Sequence, residues 1–424
     1  MTSKKVKGTD LTLYYLKLEN GLNLYLVPNN TTKNVFATFT VRFGSSNSSI
    51  NNINYPLGIA HFLEHKLFEQ KNGIDPFMYF AKTGSKANAF TTKNQTTYLV
   101  STSKNVNKNI KFLLDYVQDP YFTKENVEKE MGIIAEEIKR NLDIPLIRVN
   151  EVAMRNTFVN HPYRYPVIGN LESIKDINEK KLYDCYNNFY KPSNMALIVT
   201  GGIDVSKIKN AIVNNQKIKN SNYLFTNCSK VCIEPLTVLN SYEEVLMPNV
   251  TIPKVKVNYK ISIKDFENIS FVDLYNYIYI YFKIKIGYTS TFYENLKRNN
   301  LISEPIFPVI EHVDDFLIVG LLSETKEYNK IIELLDKELV NKKIAVVDFN
   351  RNKKVLISNE ILMTESIYSI NYSMIDDFIE YGEVIINKIS KIRALSFDKM
   401  SYIINNLNIE NKSICVVKGD NLDL

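Results

Sequence analysis

The sequence predicts an α+β fold of two homologous domains, each a mostly antiparallel sheet packed with helices. The chain has 424 residues, which is more than one hydrophobic core usually organises, so we expect two domains. Strand and helix patterns also follow one another in a similar order in the two halves. The run SICVVKGD at 413–420 echoes MALIVTGGID at 195–204, which closes the first half. These observations predict an internal duplication, with domains at residues 1–220 and 221–424.

The strands of the first half are apolar or alternating runs that end at turn residues. The turn ENG at 19–21 joins the first two strands as a hairpin, and KNQ at 93–95 joins a second pair. We predict strands at 12–17, 22–27, 35–43, 87–92, 96–101 and 195–200.

The helices of the first half are predicted from apolar residues at helical spacing and from signals at their ends. Thr123 is a cap, Pro145 suits a first turn, and Gly84 stops a short helix. We predict helices at 56–69, 75–83, 106–117, 123–141 and 145–159, with one or two more between 174 and 190.

The second half repeats this order after a weakly patterned connection at 205–250, which holds one short helix. Its strands are predicted at 254–263, 305–310, 316–323 and 413–417. Its helices are predicted at 271–286, 290–299, 328–339, 348–371, 375–389 and 396–405.

Charge and hydropathy exclude two classes of partner. The net charge of +6 is mild for this length, and lysines often lie near acids, as in 125–139, so no nucleic-acid surface is indicated. The longest apolar run, 274–286, is interrupted by Asn276, Lys283 and Lys285, so no membrane insertion is predicted. The first residues lead into no apolar signal segment, and we expect a cytoplasmic protein.

The four cysteines, Cys185, Cys228, Cys232 and Cys415, are too few and too dispersed for a disulfide framework. Cys228 and Cys232 could share a metal ion, but no second pair accompanies them. Buried or incidental thiols are the better interpretation.

The helix predicted at 56–69 carries two of the four histidines of the chain, His61 and His65. Residues four apart project from one helical face, so both imidazoles can reach a single ion. Glu64 completes the pattern H-x-x-E-H, in which the glutamate is a general base and not a ligand. The alternative is a buried helix that carries two histidines and a surface glutamate by chance.

A catalytic zinc site needs a third protein ligand, commonly a carboxylate when the other two are histidines. The acidic helix at 125–138 is the obvious source in this half. Glu130 and Glu137 lie within about 20° of each other around this helix, whereas Glu136 points about 100° away from Glu137. The alternative, a solvated acidic helix with Glu–Lys pairs, fits Glu125 and Glu128 well.

These motifs resemble those of the M16 metallopeptidases. In length and sequence the chain is most similar to the short bacterial subfamily B forms. The resemblance is strongest over residues 57–204. It rests on GIAHFLEH (58–65), NAFT (88–91), KEMGIIAEEI (129–138), HPY (161–163) and FYKPSNM (189–195).

The resemblance implies a zinc-dependent endopeptidase with one Zn²⁺ per chain, and a role for each matched residue. His61, His65 and Glu137 are then the metal ligands, and Glu130 supports them. The general base is Glu64. An extended peptide substrate is implied to bind as an added strand at Asn88, Ala89 and Phe90. Residues 1–220 are implied to be the catalytic zinc-binding domain, and 221–424 a homologous domain without metal that closes the substrate chamber.

One segment departs from the family pattern. Many members carry an L-R-E-x-G-L-A-Y-like segment whose Arg and Tyr clamp substrate, but the matching run here is LKRNNLIS at 296–303. The resemblance therefore implies a second subunit that supplies these groups, in a homodimer or in a heterodimer with a paralogue. Two alternatives stay open: a non-catalytic peptide-binding or scaffold subunit, and an enzyme that trims the leader of a modified peptide.

Overall fold

The computed structural model describes residues 1–47, 49–50, 53–219, 225, 232–248 and 250–420 of the chain. The chain separates into two compact units, and each is assembled from three segments. Unit 1 comprises Met1–Ile138, Pro166–Val231 and Glu360–Lys388. Unit 2 comprises Lys139–Tyr165, Cys232–Asn359 and Ile389–Leu424.

The strands of the described residues are, in chain order, β1 (Thr2–Lys5), β2 (Thr12–Lys17), β3 (Asn23–Pro28), β4 (Val35–Val41), β5 (Ser49–Ile50), β6 (Ile53–Asn54), β7 (Lys86–Thr91), β8 (Thr96–Thr102), β9 (Met195–Gly201), β10 (Tyr242–Leu246), β11 (Lys254–Ser262), β12 (Pro308–Val313), β13 (Phe316–Glu324) and β14 (Lys412–Lys418).

The α-helices of these residues are α1 (Ile59–Lys66), α2 (Pro76–Lys82), α3 (Val106–Val117), α4 (Lys124–Leu142), α5 (Pro145–Thr157), α6 (Glu179–Phe189), α7 (Val205–Ile218), α8 (Phe271–Ile286), α9 (Thr291–Arg298), α10 (Tyr328–Val340), α11 (Val346–Met363), α12 (Ile367–Tyr381), α13 (Lys388–Ala394) and α14 (Phe397–Asn406). Short 3₁₀ helices occur at Pro162–Arg164, Ser173–Asp176, Pro192–Asn194 and Lys264–Phe266.

Unit 1 is built on a sheet with the strand order β1-β2-β3-β9-β4-β8-β7. The β3–β9 pair is parallel, and the other neighbours in this order pair antiparallel. The predicted, mostly antiparallel α+β character is therefore confirmed. Among the described residues, β7 forms one edge of the sheet.

The two faces of this sheet are covered differently. Helices α1, α3, α4, α6 and α7 contribute to one apolar core with β3, β4, β8 and β9. The opposite face carries α12, whose Ile370, Met374, Ile375 and Phe378 pack on Leu13, Tyr25, Val27, Ala196 and Ile198. The amide of Asn371 attaches α12 to the sheet, since its Nδ2 donates to Ile198 O at 3.1 Å and its Oδ1 accepts from Thr38 Oγ1 at 2.6 Å.

Unit 2 is built on a sheet with the order β10-β14-β11-β13-β12, in which β10 and β14 pair parallel and the other neighbours antiparallel. Its main core is formed by α8, α9, α10 and α14 against β11 and β13. Helix α5 packs on the same sheet through Val149, Val152 and Ala153, which contact Cys415 and Val417.

The two units are interleaved along the chain. Helix α5 precedes residue 220 but lies in unit 2, and α12 follows it but lies in unit 1. A single cut at residue 220 would assign both helices to the other unit. Residue 220 itself lies outside the described residues, and the assignment of a catalytic and a non-metal half stays a prediction.

Most predicted elements are confirmed, but the helices predicted at 348–371 and 375–389 are wrong. The region forms α11, α12 and α13 instead. Ser366 interrupts it, because its side chain accepts from Ser369 N as the N-cap of α12. Gly382 then ends α12 in the left-handed conformation, with φ of 75°. Strands β1 and β10 and the small β5–β6 hairpin were not predicted.

Two further findings concern membrane-spanning helices and the cysteines. Within the described residues, none of the helices combines the length and the apolar character that crossing a membrane requires. Cys185, Cys232 and Cys415 are free thiols, and Cys228 lies outside the described residues.

Candidate active site

Helix α1 is positioned by a glycine at its start. Gly58 is the N-cap residue and has φ of 88°, a conformation that side chains with a Cβ rarely adopt. A Cβ at this position would lie 2.4 Å from Ile168 O. Ile59, Phe62 and Leu63 are buried in the core of unit 1. The helix is therefore held closely against the 168–169 backbone, and His61 and His65 face α4.

Helix α4 supplies the acidic side of the site. Thr123 and Asn126 cap its start reciprocally, since Asn126 N donates to Thr123 Oγ1 and Thr123 N donates to Asn126 Oδ1. Ile134 and Ile138 are buried in the core of unit 1. The predicted cap at Thr123 is thus confirmed.

His61, His65 and Glu137 converge as one potential ligand set. Their ligand atoms all lie within 4.8 Å of one another. Oε1 of Glu137 is 4.0 Å from His61 Nε2, and Oε2 is 3.8 Å from His65 Nε2. Ligands of a tetrahedral zinc ion, each bonded at about 2.0–2.2 Å, are about 3.4 Å apart. The three residues fit this ion after a small contraction.

Glu130 contacts the second imidazole from its other side. Its Oε1 lies 2.9 Å from His65 Nδ1. When Glu130 accepts a hydrogen bond from Nδ1–H, Nε2 of His65 is left as the acceptor that faces Glu137. His61 differs, because its Nδ1 is buried and has no hydrogen-bond partner in the described part of the chain. No hydrogen bond at Nδ1 therefore orients that ring among the described residues.

The two histidines respond oppositely to their surroundings. Burial, together with the positive charge of His65, lowers the pKa of His61 to about 3, so its imidazole is neutral at physiological pH. Burial also acts to lower the pKa of His65. The hydrogen bond and charge of Glu130, with the charges of Glu64 and Glu137, outweigh it and raise the pKa of His65.

Glu64 is held beside the proposed ligands but points to β7. Its side chain is 7% exposed, and its Oε2 accepts a hydrogen bond from Thr91 Oγ1 at 2.6 Å. Burial raises the pKa of the Glu64 carboxyl, and the Thr91 hydroxyl opposes this shift. A carboxylate with a raised pKa is a better proton acceptor, as a general base must be.

Sequence reasoning missed two residues that support this arrangement. Thr91 lies in the NAFT run at 88–91, but its contact with Glu64 depends on the tertiary fold. Lys66 is fully buried; its Nζ donates to Asn126 O at 3.1 Å and pairs with Glu69. This lysine thereby joins α1 to the first turn of α4. Its spacing of seven from Ile59 was the signal that it lies on the buried face.

The edge strand β7 presents different groups on its two faces and along its edge. Thr92 N donates to Gln95 O, so the main-chain groups of alternate residues in β7 face β8. Those of Ala89 face the open edge, and accordingly Ala89 N lies 2.9 Å from Asn88 Oδ1. Phe90 packs towards Phe36 on the α12 face.

The structure thus separates the three residues predicted to bind substrate. Ala89 offers main-chain groups to an added strand, and its side chain packs on the core that contains α1. Asn88 and Phe90 direct their main-chain groups to β8, and their side chains share the opposite face of the strand.

Comparison with known proteins identifies the family. The profile described as Insulinase (Peptidase family M16) matches residues 25–170, and the one described as Peptidase M16 inactive domain matches residues 176–356. The chain belongs to peptidase family M16. The resemblance inferred from the motifs is confirmed, as is the two-domain α+β fold of this family.

Several M16 relatives are named zinc proteases. A Bacillus subtilis protein named "Uncharacterized zinc protease YmfH" is 43% identical over 211 residues, which are 48% of this chain and 49% of that protein. Subunit beta of the Bos taurus mitochondrial-processing peptidase is 29% identical over 154 residues, covering 34% of this chain and 31% of the relative. The chain spans about half the length of the first curated relatives it matches, namely 49% of one and 47% of another.

The fold is shared with a solved M16 structure over nearly the whole chain. The crystal structure of an M16-like peptidase from Alicyclobacillus acidocaldarius superposes with a TM-score of 0.90 and 26% identity, covering 98% of this chain and 100% of the other. This likeness extends across both halves.

Proposed function

We propose that this M16 protein is a zinc-dependent endopeptidase that hydrolyses peptides held in an extended conformation. The observation that carries the proposal is the convergence of His61, His65 and Glu137 within 4.8 Å, with the buried Glu64 beside them. The names of the relatives as zinc proteases support the same chemistry.

His61, His65 and Glu137 would hold one zinc ion per chain. Zinc bound there would supply a Lewis acid that lowers the pKa of water and polarises a peptide carbonyl. Glu64, whose pKa is raised by burial, takes the proton from the attacking water and delivers it to the leaving amine. Glu130 holds the tautomer of His65 through the 2.9 Å contact with Nδ1.

The substrate backbone pairs with the open edge of β7. Ala89 offers its main-chain N–H and C=O there, and the hydroxyl of Thr91 joins the same strand to Glu64. An extended peptide added at this edge therefore runs past the general base. Its carbonyl takes the position at Ala89 N that Asn88 Oδ1 occupies in the structure.

We further propose a cytoplasmic protein that works as a homodimer or with an M16 paralogue. The segment 296–303 lacks the Arg and Tyr positions of the family pattern, and its Arg298 donates to Glu294 at 3.0 Å on the surface of α9. Both observations support a partner subunit. The partner would supply the substrate-clamping groups. The name of the mitochondrial-processing peptidase relative as a subunit is consistent with such an assembly.

The test is metal analysis and peptide cleavage by the full chain and by Glu64→Gln. We expect the variant to keep zinc and its thermal unfolding temperature, and to lose about 10²–10⁴-fold in kcat. Full activity of the variant would remove Glu64 from the mechanism. Stoichiometric zinc with no cleavage by the wild type, alone or with a co-purified paralogue, would favour a non-catalytic peptide-binding subunit.

A further inference from the structure

An exposed aromatic surface lies on the α12 side of β7, facing away from the proposed zinc ligands. Tyr368 and Tyr372 are each 40% exposed, whereas Phe36, against which both rings pack, is 2% exposed. The ring centroids of Tyr368 and Tyr372 are 4.8 and 5.5 Å from that of Phe36. Phe90 of β7 extends the surface, at 6.2 Å from Tyr372.

The geometry points to a substrate subsite: we propose that Tyr372, Tyr368 and Phe90 bind an aromatic side chain of the peptide that pairs with β7. This inference rests on the proposed function, since it requires an extended peptide at that edge. It deepens that function by assigning specificity to α12, a helix from the second half of the sequence.

The two tyrosines lie off the buried face of α12. That face is formed by Ile370, Asn371, Met374, Ile375 and Phe378. Tyr368 and Tyr372 are one turn apart at the side nearest β7 and β8, where Tyr368 OH lies 3.0 Å from Ser101 Oγ of β8. Tyr372 thereby lies beside Phe90 of the edge strand, next to the position that an added strand would take.

An added strand brings its side chains within reach of these rings. Adjacent strands are about 4.7–4.9 Å apart, and side chains that face each other across a pair have Cβ atoms about 4.5–5.5 Å apart. A peptide residue on the same face as Phe90 therefore meets Phe90 and the exposed part of Tyr372. Aromatic rings pack favourably at centroid separations of about 4.5–7 Å, which matches the spacing within this cluster.

The alternation of side chains gives the inference a specific signature. Successive peptide residues point to opposite faces, so one set of alternate residues meets the aromatic surface and the other set faces α1. We therefore expect a preference for aromatic residues at every second position, and not at neighbouring ones.

The experiment uses short Ala/Ser peptides that each carry one Phe, moved along the peptide one position at a time. Binding is measured by fluorescence anisotropy to the full chain carrying Glu64→Gln with zinc added, and cleavage sites are mapped by mass spectrometry with the wild-type enzyme. For Phe at alternate positions we expect about tenfold tighter binding, and faster cleavage, than for Ala.

Three variants separate the subsite from general effects. Tyr372→Ala should lose the alternating preference, and Tyr372→Phe should keep it because the ring remains. Tyr402→Ala, at an exposed tyrosine of α14 in unit 2, should also keep it.

The outcomes distinguish a failure of the subsite from a failure of the proposed hydrolysis. A preference that is absent from the wild type, or that survives in Tyr372→Ala, would overturn the subsite even if peptides are cleaved. An alternating preference in binding without any cleavage by the wild type would support the subsite and contradict the proposed hydrolysis.

Discussion

Glu136 and Glu137 are neighbours in sequence with different surroundings. Glu137 faces both imidazoles, whereas Glu136 is exposed on another side of α4. Removal of a zinc ligand should weaken binding more than the roughly 10–100-fold typical of a residue that supports a ligand. We therefore expect Glu137→Ala and His61→Ala to lose zinc, and Glu136→Ala to retain it.

Metal content after dialysis against a weak chelator measures this difference. Thermal unfolding of each variant serves as the control for the fold. Equal zinc loss in the Glu136 and Glu137 variants would contradict the ligand assignment.

For single residues, the sequence predicted the candidate site where function depends on local spacing. His61, Glu64 and His65 follow from positions on one helix. Helix geometry placed Glu130 and Glu137 on one face but did not distinguish the ligand from its support. The role of Thr91 required the pairing of β7 beside α1, which no local pattern contains.

At the scale of the element, the start of α1 depends on the absence of a side chain at Gly58. A Cβ there would meet Ile168 O at 2.4 Å and Gly169 Cα at 3.1 Å, and φ of 88° is strained for other residues. We expect Gly58→Ala to lower the free energy of unfolding by about 1–3 kcal/mol and to weaken zinc binding, because the helix must shift.

Gly132 provides the matched control in α4. An added Cβ there meets nothing within 4 Å, and alanine favours a helix by about 0.5–1 kcal/mol over glycine. Chemical denaturation with and without zinc compares the two variants. Equal stability of Gly58→Ala and wild type would show that the close approach at Ile168 is not required.

In unit 2, a buried ion pair between Lys260 and Glu234 joins β11 to the segment after α5. Lys260 Nζ lies 2.6 Å from Glu234 Oε1, and the side chains are 0% and 2% exposed. Glu234 also accepts from the main-chain N–H groups that follow α5. Lys260→Met should cost about 3–5 kcal/mol, because it leaves a buried carboxylate without its cation.

The contribution of this pair should depend on pH. Burial raises the pKa of Glu234, but Lys260 and the three N–H donors outweigh it and leave the pKa below its ordinary value. A lowered folded-state pKa stabilises the fold at pH above the unfolded value of about 4.3, and this stabilisation is lost as the pH falls through the folded value. The stability difference between wild type and Lys260→Met should therefore shrink in acid.

Denaturation at a series of pH values measures this difference. Lys264→Met, which breaks the exposed pair with Asp315, is the control and should leave the stability nearly unchanged. A difference between wild type and Lys260→Met that grows in acid would contradict the role of the ion pair.

At the scale of the whole molecule, the order of elements predicted the fold class but not which segments form each unit. Strand and helix patterns are local, so they indicated two α+β halves. Whether α5 or α12 packs on a given sheet depends on long-range contacts, which the apolar stripe of a helix does not specify. The interleaving of 139–165 and 360–388 was therefore beyond sequence patterns.

The interleaving predicts that residues 1–220 do not fold alone. Without α12, the apolar side chains of Leu13, Tyr25 and Ile198 lose their cover, and the buried Thr38 hydroxyl loses its bond to Asn371. We expect the isolated 1–220 fragment to aggregate and to bind no zinc. Joining residues 360–388 to it through a flexible Gly/Ser linker should restore a cooperative unfolding transition and stoichiometric zinc, measured by circular dichroism and metal analysis. The same fusion with Ile375→Asp and Phe378→Asp is the matched control and should fail to rescue. Cooperative unfolding of the 1–220 fragment on its own would show instead that the sheet of unit 1 needs nothing from the second half of the chain.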